Sequence, residues 1–445
     1  MGLTAVDIFK HLPKTNCRDC GVPTCLAFAM KVAQKQASLE DCPHVTDEAR
    51  AALAGESAPP IRLVSVGAGE KKLELGQETV LFRHENTFLR PCGLAVMLEA
   101  GLDDAAVDAR LEHFRALTFD RVGMMLGINL VAVKSAGDAA RTAAVAKRAS
   151  EALGLPLILM GGSAAELAPA VAAVKDTRPL IHAASAQNLD EMVALAKENG
   201  CPLVVQAADP GALCELTPKA VEAGVQDLII QTAADSAGGI LQDQTVIRRA
   251  ALNKKERRLG YPTLVVVEDE DPLDAVTKAT LAIAKYAGIV VLKNDSKPVL
   301  LAAVTARLNI YTDPQKPIQI EAKLYEVGEP TNQSPVLVTT NFSLTYFTVE
   351  GDVSASKIPT WIVVVDTEGT SVLTAWASEK FSAESIAAAI KSSGVEEKVG
   401  HRSIMLPGGV AVLKAKLEDE SGWSVQVGPR ESSGLPTVLR SWSAN

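Results

Sequence analysis

Aromatic residues make up only 4% of this chain's 445 residues, and no stretch approaches the roughly 20 uninterrupted apolar residues that a membrane helix needs. The N-terminus lacks a positively charged segment followed by an apolar one, so a secretory leader is not expected and a soluble cytoplasmic protein is. No dense Lys/Arg run occurs and the net charge is −9, which argues against a general nucleic-acid binder. Neither G-x-x-x-x-G-K-[ST] nor a G-x-G-x-x-G placed after a strand is present, so the phosphate-cradling loops of the common nucleotide folds are missing. At this length one hydrophobic core does not suffice, and two or three domains are expected.

Cysteine is sparse but unevenly placed. Four of the seven lie within the first 42 residues, in the order Cys17-x2-Cys20-x4-Cys25-x16-Cys42, with Pro43 next. In a reducing compartment such a local group reads as a metal site rather than as disulfides. Four thiolates can hold the four irons of a 4Fe-4S cube. Asp19 and Gly21 make the first loop feasible, because glycine accepts positive φ and leaves N–H groups free for sulfide. Cys25 falls at an expected helix start, where the dipole favours an anion. Zinc is the competing metal, although its sites usually pair two short C-x2-C spacings, and a merely structural role is the third reading. Residues 1–57 are expected to form this small helical module, with Thr4 capping a helix over 5–11 and a second helix over 25–39. The stretch 55–60 reads as a linker.

Ala, Val and Leu are abundant, as in helices packed on buried parallel strands. Over residues 61–310, short apolar runs alternate with helix-like stretches. The runs are 79–83, 124–130, 156–161, 180–184, 202–207, 227–232, 263–267 and 289–294. Alternating strand and helix points to βα units, and eight of them to a closed (β/α)8 barrel of the TIM type, with an open doubly wound sheet as the alternative. The run 61–66 is then an extra strand or lid at the barrel's bottom. Asn129, Gln206 and Gln231 are expected at strand ends, either as the remains of a pterin or substrate site or within a pure scaffold.

A second linker, rich in Pro and charge, is expected over 311–330, with a small doubly wound α/β domain over 331–445. Its strands read as 336–339, 360–365, 403–405, 410–416 and 423–427, and its clearest helix as 382–392, capped by Ser382 and stopped by Gly394. In such sheets ligands sit at the carboxyl ends of the strands. The loops there are Thr339-Thr340-Asn341 with Thr345-Tyr346, then Asp366 to Thr374, Pro407-Gly408-Gly409, and Gly428 to Gly434. They share small hydroxyl residues and glycines, a rim suited to a large cofactor bearing amides and a phosphate, though such residues are common in any loop. Tyr346, Trp376 and Trp423 read first as core.

The C-x2-C-G-x3-C-x16-C-P run, the barrel behind it and the C-terminal Asp366-Thr-Glu-Gly-Thr-Ser-Val372 together resemble one family across the whole chain. It is the large (gamma) subunit of the corrinoid iron–sulfur protein of the reductive acetyl-CoA pathway. The resemblance implies a methyl carrier in a methyltransferase system rather than a stand-alone enzyme. A cobamide cycling between Co(I) and methyl-Co(III) takes methyl from a methyltetrahydrofolate methyltransferase and passes it to acetyl-CoA synthase/CO dehydrogenase. The 4Fe-4S cluster on Cys17, Cys20, Cys25 and Cys42, fed by a low-potential electron donor, rescues cobalt that has oxidised to Co(II). A smaller subunit completes a heterodimer. By position, the family's corrinoid contacts fall on Thr340, Tyr346, Thr370, Ser371, Val372, Leu373 and Ser433. No Asp-x-His-x-x-Gly motif offers a histidine to cobalt, so the corrinoid is expected base-off, with His401 structural. An electron-transfer subunit without corrinoid, or a barrel enzyme with a structural cluster, are the alternatives.

Overall fold

In a computed structural model of the chain, residues 5–33, 37, 41–46, 59–121, 123–313 and 317–442 are described. They divide into two compact units, one of residues 1–118 and 127–311, the other of residues 119–126 and 312–445. The Thr4 cap and the linker over 55–58 lie outside the described residues. No helix among the described residues is long and apolar enough to cross a membrane.

The first unit contains a closed barrel. Its two leading strands, β1 (Val64–Val66) and β2 (Leu73–Leu75), pair antiparallel. The eight barrel strands are β3 (Gly93–Glu99), β6 (Leu130–Lys134), β7 (Leu157–Met160), β8 (Leu180–Ala184), β9 (Leu203–Ala207), β10 (Leu228–Thr232), β11 (Thr263–Val267) and β12 (Ala287–Leu292), and β12 closes on β3. The intervening β4 (Thr118–Arg121) and β5 (Met124–Gly127) form a separate hairpin. Every barrel ladder is parallel, and residues such as Val96, Val131, Leu159 and Ile230 are wholly buried. Val64, Val66 and Leu75 pack into the barrel core with Leu130, Ile158 and Leu180, all near the strands' amino ends. The β1–β2 hairpin is thus the plug expected at the bottom.

Two strand positions differ from the sequence reading. Residues 79–83 form no ladder, because their backbone is spent on side chains. The Val80 carbonyl accepts from Arg248 and that of Leu81 from the Tyr286 hydroxyl, while the Leu81 and Phe82 N–H groups donate to Glu85. The first barrel strand is instead β3, an uninterrupted apolar run. The run over 124–130 splits, its first half into the hairpin strand β5 and its end into β6. Asn129 therefore stands at the amino end of β6, where its side chain accepts from the Leu94 N–H at 3.2 Å and from Arg307.

The second unit holds a five-stranded sheet of β13 (Leu324–Val327), β14 (Val336–Thr340), β15 (Thr360–Val365), β16 (Ser403–Leu406) and β17 (Ser424–Val427), in the order β13-β15-β14-β16-β17. All neighbours are parallel except β13, an antiparallel edge inside the stretch read as linker. Helices Ala383–Ser392 and Lys414–Ser421 contribute Ile386, Ile390 and Leu417 to the core on one face, and Ser343–Ser356 and Leu435–Arg440 contribute Tyr346, Val353 and Leu439 to the other, so the sheet is doubly wound. Ser382 caps its helix through a reciprocal box with Ser385, and Gly394 follows with φ 71°. The strand expected over 410–416 is helical. Val410 and Leu417 are buried while Val412 is exposed, so the seven-residue spacing of a helix face prevails over alternation.

Below the barrel, the Arg248 guanidinium lies 4.7 Å from the Tyr286 ring centroid and 5.5 Å from that of Phe88, and reaches Glu78 at 3.5 Å. Both charges are buried. Arg248→Met should destabilise the protein by about 3 kcal/mol by stranding the Glu78 carboxylate. Adding Glu78→Gln should recover part of the loss, as urea unfolding will measure.

Candidate functional sites in the two units

The N-terminal module is built by two helices, Ala5–His11 and Cys25–Ala33, packed through Ile8, Leu12, Phe28 and Ala29. The second is described over Cys25–Ala33, and most of the remainder expected to 39 lies outside the described residues. It opens under a Thr24 cap, whose hydroxyl accepts the Ala27 N–H at 3.1 Å. Asn16 and Arg18 adopt φ of 52° and 72°, and Gly21 of 73°, so the loop carrying Cys17 and Cys20 winds through the left-handed region. A reciprocal clasp ties it to the helix start: the Cys25 N–H donates to Asn16 Oδ1 at 2.8 Å, and the Asn16 N–H approaches Cys25 Sγ at 3.4 Å. Cys25 and Cys42 are buried in the module's core and Cys20 packs against it, whereas Cys17 is exposed. All four are free thiols. Cys17 Sγ lies within 4.8 Å of ligand atoms of Asp19 and His44, and the latter two are joined at 2.6 Å. Hydrogen bonds from His44 and then Cys17 hold the Asp19 carboxyl below its ordinary pKa. The structure thus gathers three cysteines in one core with the fourth at its margin. Four cysteines brought to one small module, one of them with a backbone N–H at its sulfur, suit an iron–sulfur cluster.

In the C-terminal unit, the chain passes from β14 to β15 on one side, then crosses back to place β16 on the other. That reversal opens a crevice at the carboxyl ends of β14 and β16. A cavity of about 300 Å³ lies there. Its wall is apolar: Leu337, Phe342, Leu344, Val349, Val372, Leu373, Met405, Leu406 and Leu435. Thr339, Thr345, Thr348, Ser432 and Arg430 add polar groups, and no acid or histidine lines it. Leu344 and Leu373 are 59% and 57% exposed, an apolar rim left open to a flat partner. At the crest of β14, the hydroxyls of Thr339, Thr340 and Ser343 are buried and find no partner among the described residues. Leaving each unsatisfied costs about 1–3 kcal/mol. Such a crest fits a ligand that brings its own polar groups.

Of the residues named by resemblance, Val372 and Leu373 line the cavity and Thr340 supplies one orphaned hydroxyl. Thr370 and Ser371 form the turn before the helix Val372–Ala377, with the Thr370 hydroxyl donating to the Thr367 carbonyl at 2.7 Å and Ser371 Oγ 3.0 Å from Thr374 Oγ1. Ser433 adjoins the lining residue Ser432. Tyr346 is core, its ring 4.7 Å from that of Tyr325, and burial raises its phenol pKa. Trp423 is also core, but Trp376 is 42% exposed. Sequence reasoning missed Phe342, Leu344, Thr348 and Val349, because the helix Ser343–Ser356 that presents them lacks a clear apolar period. His401 lies at the opposite end of β16, with Nε2 3.0 Å from the Ser334 carbonyl and Nδ1 accepting the Ser403 N–H.

The barrel has its own recess of about 460 Å³, where Gln206 and Gln231 meet His182 at the strands' carboxyl ends. His182 Nε2 and Gln231 Oε1 are 2.7 Å apart, and burial lowers the imidazole pKa. Lys278 is paired with Asp269 at 2.7 Å.

A family model described as "CO dehydrogenase/acetyl-CoA synthase delta subunit" matches residues 63–439, and one described as "Putative Fe-S cluster" matches residues 12–44. The chain is 46% identical over 442 residues to the corrinoid/iron-sulfur protein large subunit of Moorella thermoacetica, covering 99% of each. It is 35% identical over 456 residues to the acetyl-CoA decarbonylase/synthase complex subunit gamma of Methanopyrus kandleri, covering 98% of this chain and 97% of that one. Among solved structures, dihydropteroate synthase from Thermus thermophilus aligns with 56% of this chain and all of its own length, at 17% identity and a TM-score of 0.39.

The cavity wall depends on the close approach of two loops. A Cβ at Gly408 would stand 2.5 Å from the Gly428 carbonyl oxygen. Gly408→Ala should therefore part these loops and cost about 1–3 kcal/mol in the urea unfolding of the C-terminal unit.

Proposed function

The chain belongs to the family of the corrinoid/iron-sulfur protein large subunit and the acetyl-CoA decarbonylase/synthase gamma subunits, and from that premise we propose that it carries a methyl group on a corrinoid held by its C-terminal unit. The observation that carries this reading is the apolar cavity at the sheet's switch point, lined by the buried, unpartnered hydroxyl of Thr339, with those of Thr340 and Ser343 close by in sequence. When bound, the corrinoid supplies a cobalt that accepts a methyl group as Co(I) and gives it up again, and a 4Fe-4S cluster supplies the single electrons that return Co(II) to that state. Everything else falls to this chain's own residues.

Leu344 and Leu373 offer the macrocycle an apolar seat. Thr340, Tyr346, Thr370, Ser371, Val372, Leu373 and Ser433 are the proposed contacts. Thr339, which lines the cavity, and Ser343 nearby would add unpartnered hydroxyls to the set. The cavity is apolar enough to take the cofactor's tail base once it leaves cobalt. Both ring nitrogens of His401 are spent at the far end of β16, so it does not replace that base. A base-off cobalt without a protein nitrogen is easier to reduce, because a strong axial donor stabilises the higher oxidation states.

Cys17, Cys20, Cys25 and Cys42 are proposed to hold the cluster. The Asn16 N–H at Cys25 Sγ places a hydrogen-bond donor on one of the proposed ligand sulfurs. On this reading residues 1–57 are the cluster module, 61–310 the barrel scaffold and 331–445 the corrinoid domain, with 311–330 a tether whose last part, β13, joins that domain's sheet. The partners are a small subunit, a methyltetrahydrofolate methyltransferase, acetyl-CoA synthase/CO dehydrogenase and a low-potential electron donor.

An anaerobic absorption spectrum with cobalt and iron counts is the direct test. Corrinoid bands beside a broad cluster band at about 400 nm are expected, and iron without cobalt in the corrinoid-loaded preparation would leave only an electron carrier. The Co(II) EPR spectrum should lack nitrogen superhyperfine splitting. Cys20→Ser should spare methyl transfer by pre-reduced protein and abolish only reactivation. Equal loss of both would make the cluster a participant in every transfer.

A further inference from the structure

The turn that leads into four of the proposed corrinoid contacts is held by its own bonds between Thr367 and Thr370 and from Glu368 to Asp366, and also from outside. In the sequence Asp366-Thr367-Glu368-Gly369-Thr370, Glu368 and Gly369 both adopt left-handed backbone, with φ of 54° and 71°. Such a conformation is strained for a non-glycine residue, so neighbouring groups must hold it. One side chain does most of this. Asn341, at the carboxyl end of β14, is 3% exposed. Its Oδ1 accepts from the Thr367 N–H at 3.0 Å, the Thr367 hydroxyl at 3.0 Å and the Gly369 N–H at 2.9 Å. Its Nδ2 donates to Asp366 Oδ1 at 3.0 Å and to Gln319 Oε1 at 2.9 Å. Its backbone is committed too, the N–H to the Val365 carbonyl at 3.0 Å and the carbonyl to the Ile320 N–H at 2.9 Å.

Backbone N–H groups can only donate, so they settle which end of the amide faces the turn. The opposite end meets two acceptors. Of the small side chains, only a primary amide serves both sides at once. Aspartate would set a second carboxylate against that of Asp366, and serine is too short to span both sides. No Asn341 atom lines the cavity, yet Val372 and Leu373, which do, follow the clamped turn directly.

We propose that Asn341 is the positioning residue of the cofactor loop: it touches no cofactor, but through Thr367 and Gly369 it sets where Thr370 to Leu373 stand. This inference rests on the corrinoid reading above. The reciprocal pair Asn341→Asp and Asp366→Asn separates the two, because together they restore one donor facing one acceptor with no net change of charge.

The full chain, with its cluster in place, is titrated with hydroxocobalamin. Asn341→Asp should weaken binding at least tenfold with iron content unchanged, and any fall in the thermal midpoint should be recovered in the double variant. Hydrogen–deuterium exchange of the Thr367 and Gly369 amides in the cofactor-free chain should quicken. The double variant Asn341→Asp, Asp366→Asn should recover most of the affinity and slow the exchange. Wild-type affinity or wild-type exchange in Asn341→Asp would overturn the assignment. So would cofactor loss that comes only with loss of iron and a lowered midpoint, which marks a residue of the fold at large. If wild-type protein takes up no hydroxocobalamin, the corrinoid reading fails on its own, and the assignment of a cofactor loop falls with it, while quickened exchange still establishes the clamp.

Discussion

The reversal of strand order at β14 is the constraint from which the C-terminal site follows. Where later strands are added on both sides of an earlier one in an open parallel sheet, the connections leave in opposite directions and the loops above it part. Here they part over the ends of β14 and β16. The gap is lined by whatever the four loops and the helix Ser343–Ser356 bring to it. These are mostly aliphatic side chains, with hydroxyls stranded on the crest of β14. Neither feature would persist in a sheet built for stability alone. Open aliphatic surface and unpartnered buried hydroxyls both cost free energy until something covers them.

The N-terminal module solves a different problem with a similar economy of residues. A small core of Ile8, Leu12, Phe28 and Ala29 has little apolar area to offer. Three cysteines contribute to it directly, so the thiols are packing groups as well as candidate ligands. The Asn16 clasp on Cys25 joins the irregular loop to the helix start. The segment that must present sulfur is thereby the best-held part of an otherwise small fold. Metal binding and folding are coupled in such modules, because the ligand set does not exist in the unfolded chain.

The barrel contributes rigidity by conventional means. Its strands are sealed below by the β1–β2 hairpin, and the irregular segment that follows is locked by Arg248, Glu78 and two aromatic rings. Its polar recess at the opposite end is largely self-satisfied. His182 is spent on Gln231 and Lys278 on Asp269. Those pairings engage two of its charged or titratable side chains without a ligand.

Much of this was legible in the residues themselves. Cysteine spacing, the alternation of apolar runs with helical stretches and the capped helix after Ser382 are local patterns, set by chemistry within a few positions. They were enough to name the cysteine group, the barrel and the doubly wound sheet. The errors came where local pattern and long-range partner disagreed. Residues 79–83 look like a strand until Arg248 and Tyr286, distant in sequence, take their carbonyls. Val410 to Leu417 alternates like a strand, but burial on a helix face decides it. Asn341 read as one more rim residue, and only the fold turns it inward to hold Thr367 and Gly369. The sequence by itself determined which chemistry the chain can offer, because ligand type and period are properties of neighbouring residues. The tertiary structure alone decided which groups are left unspent to perform it, because a hydrogen bond's partner is chosen by what the fold brings within about 3 Å.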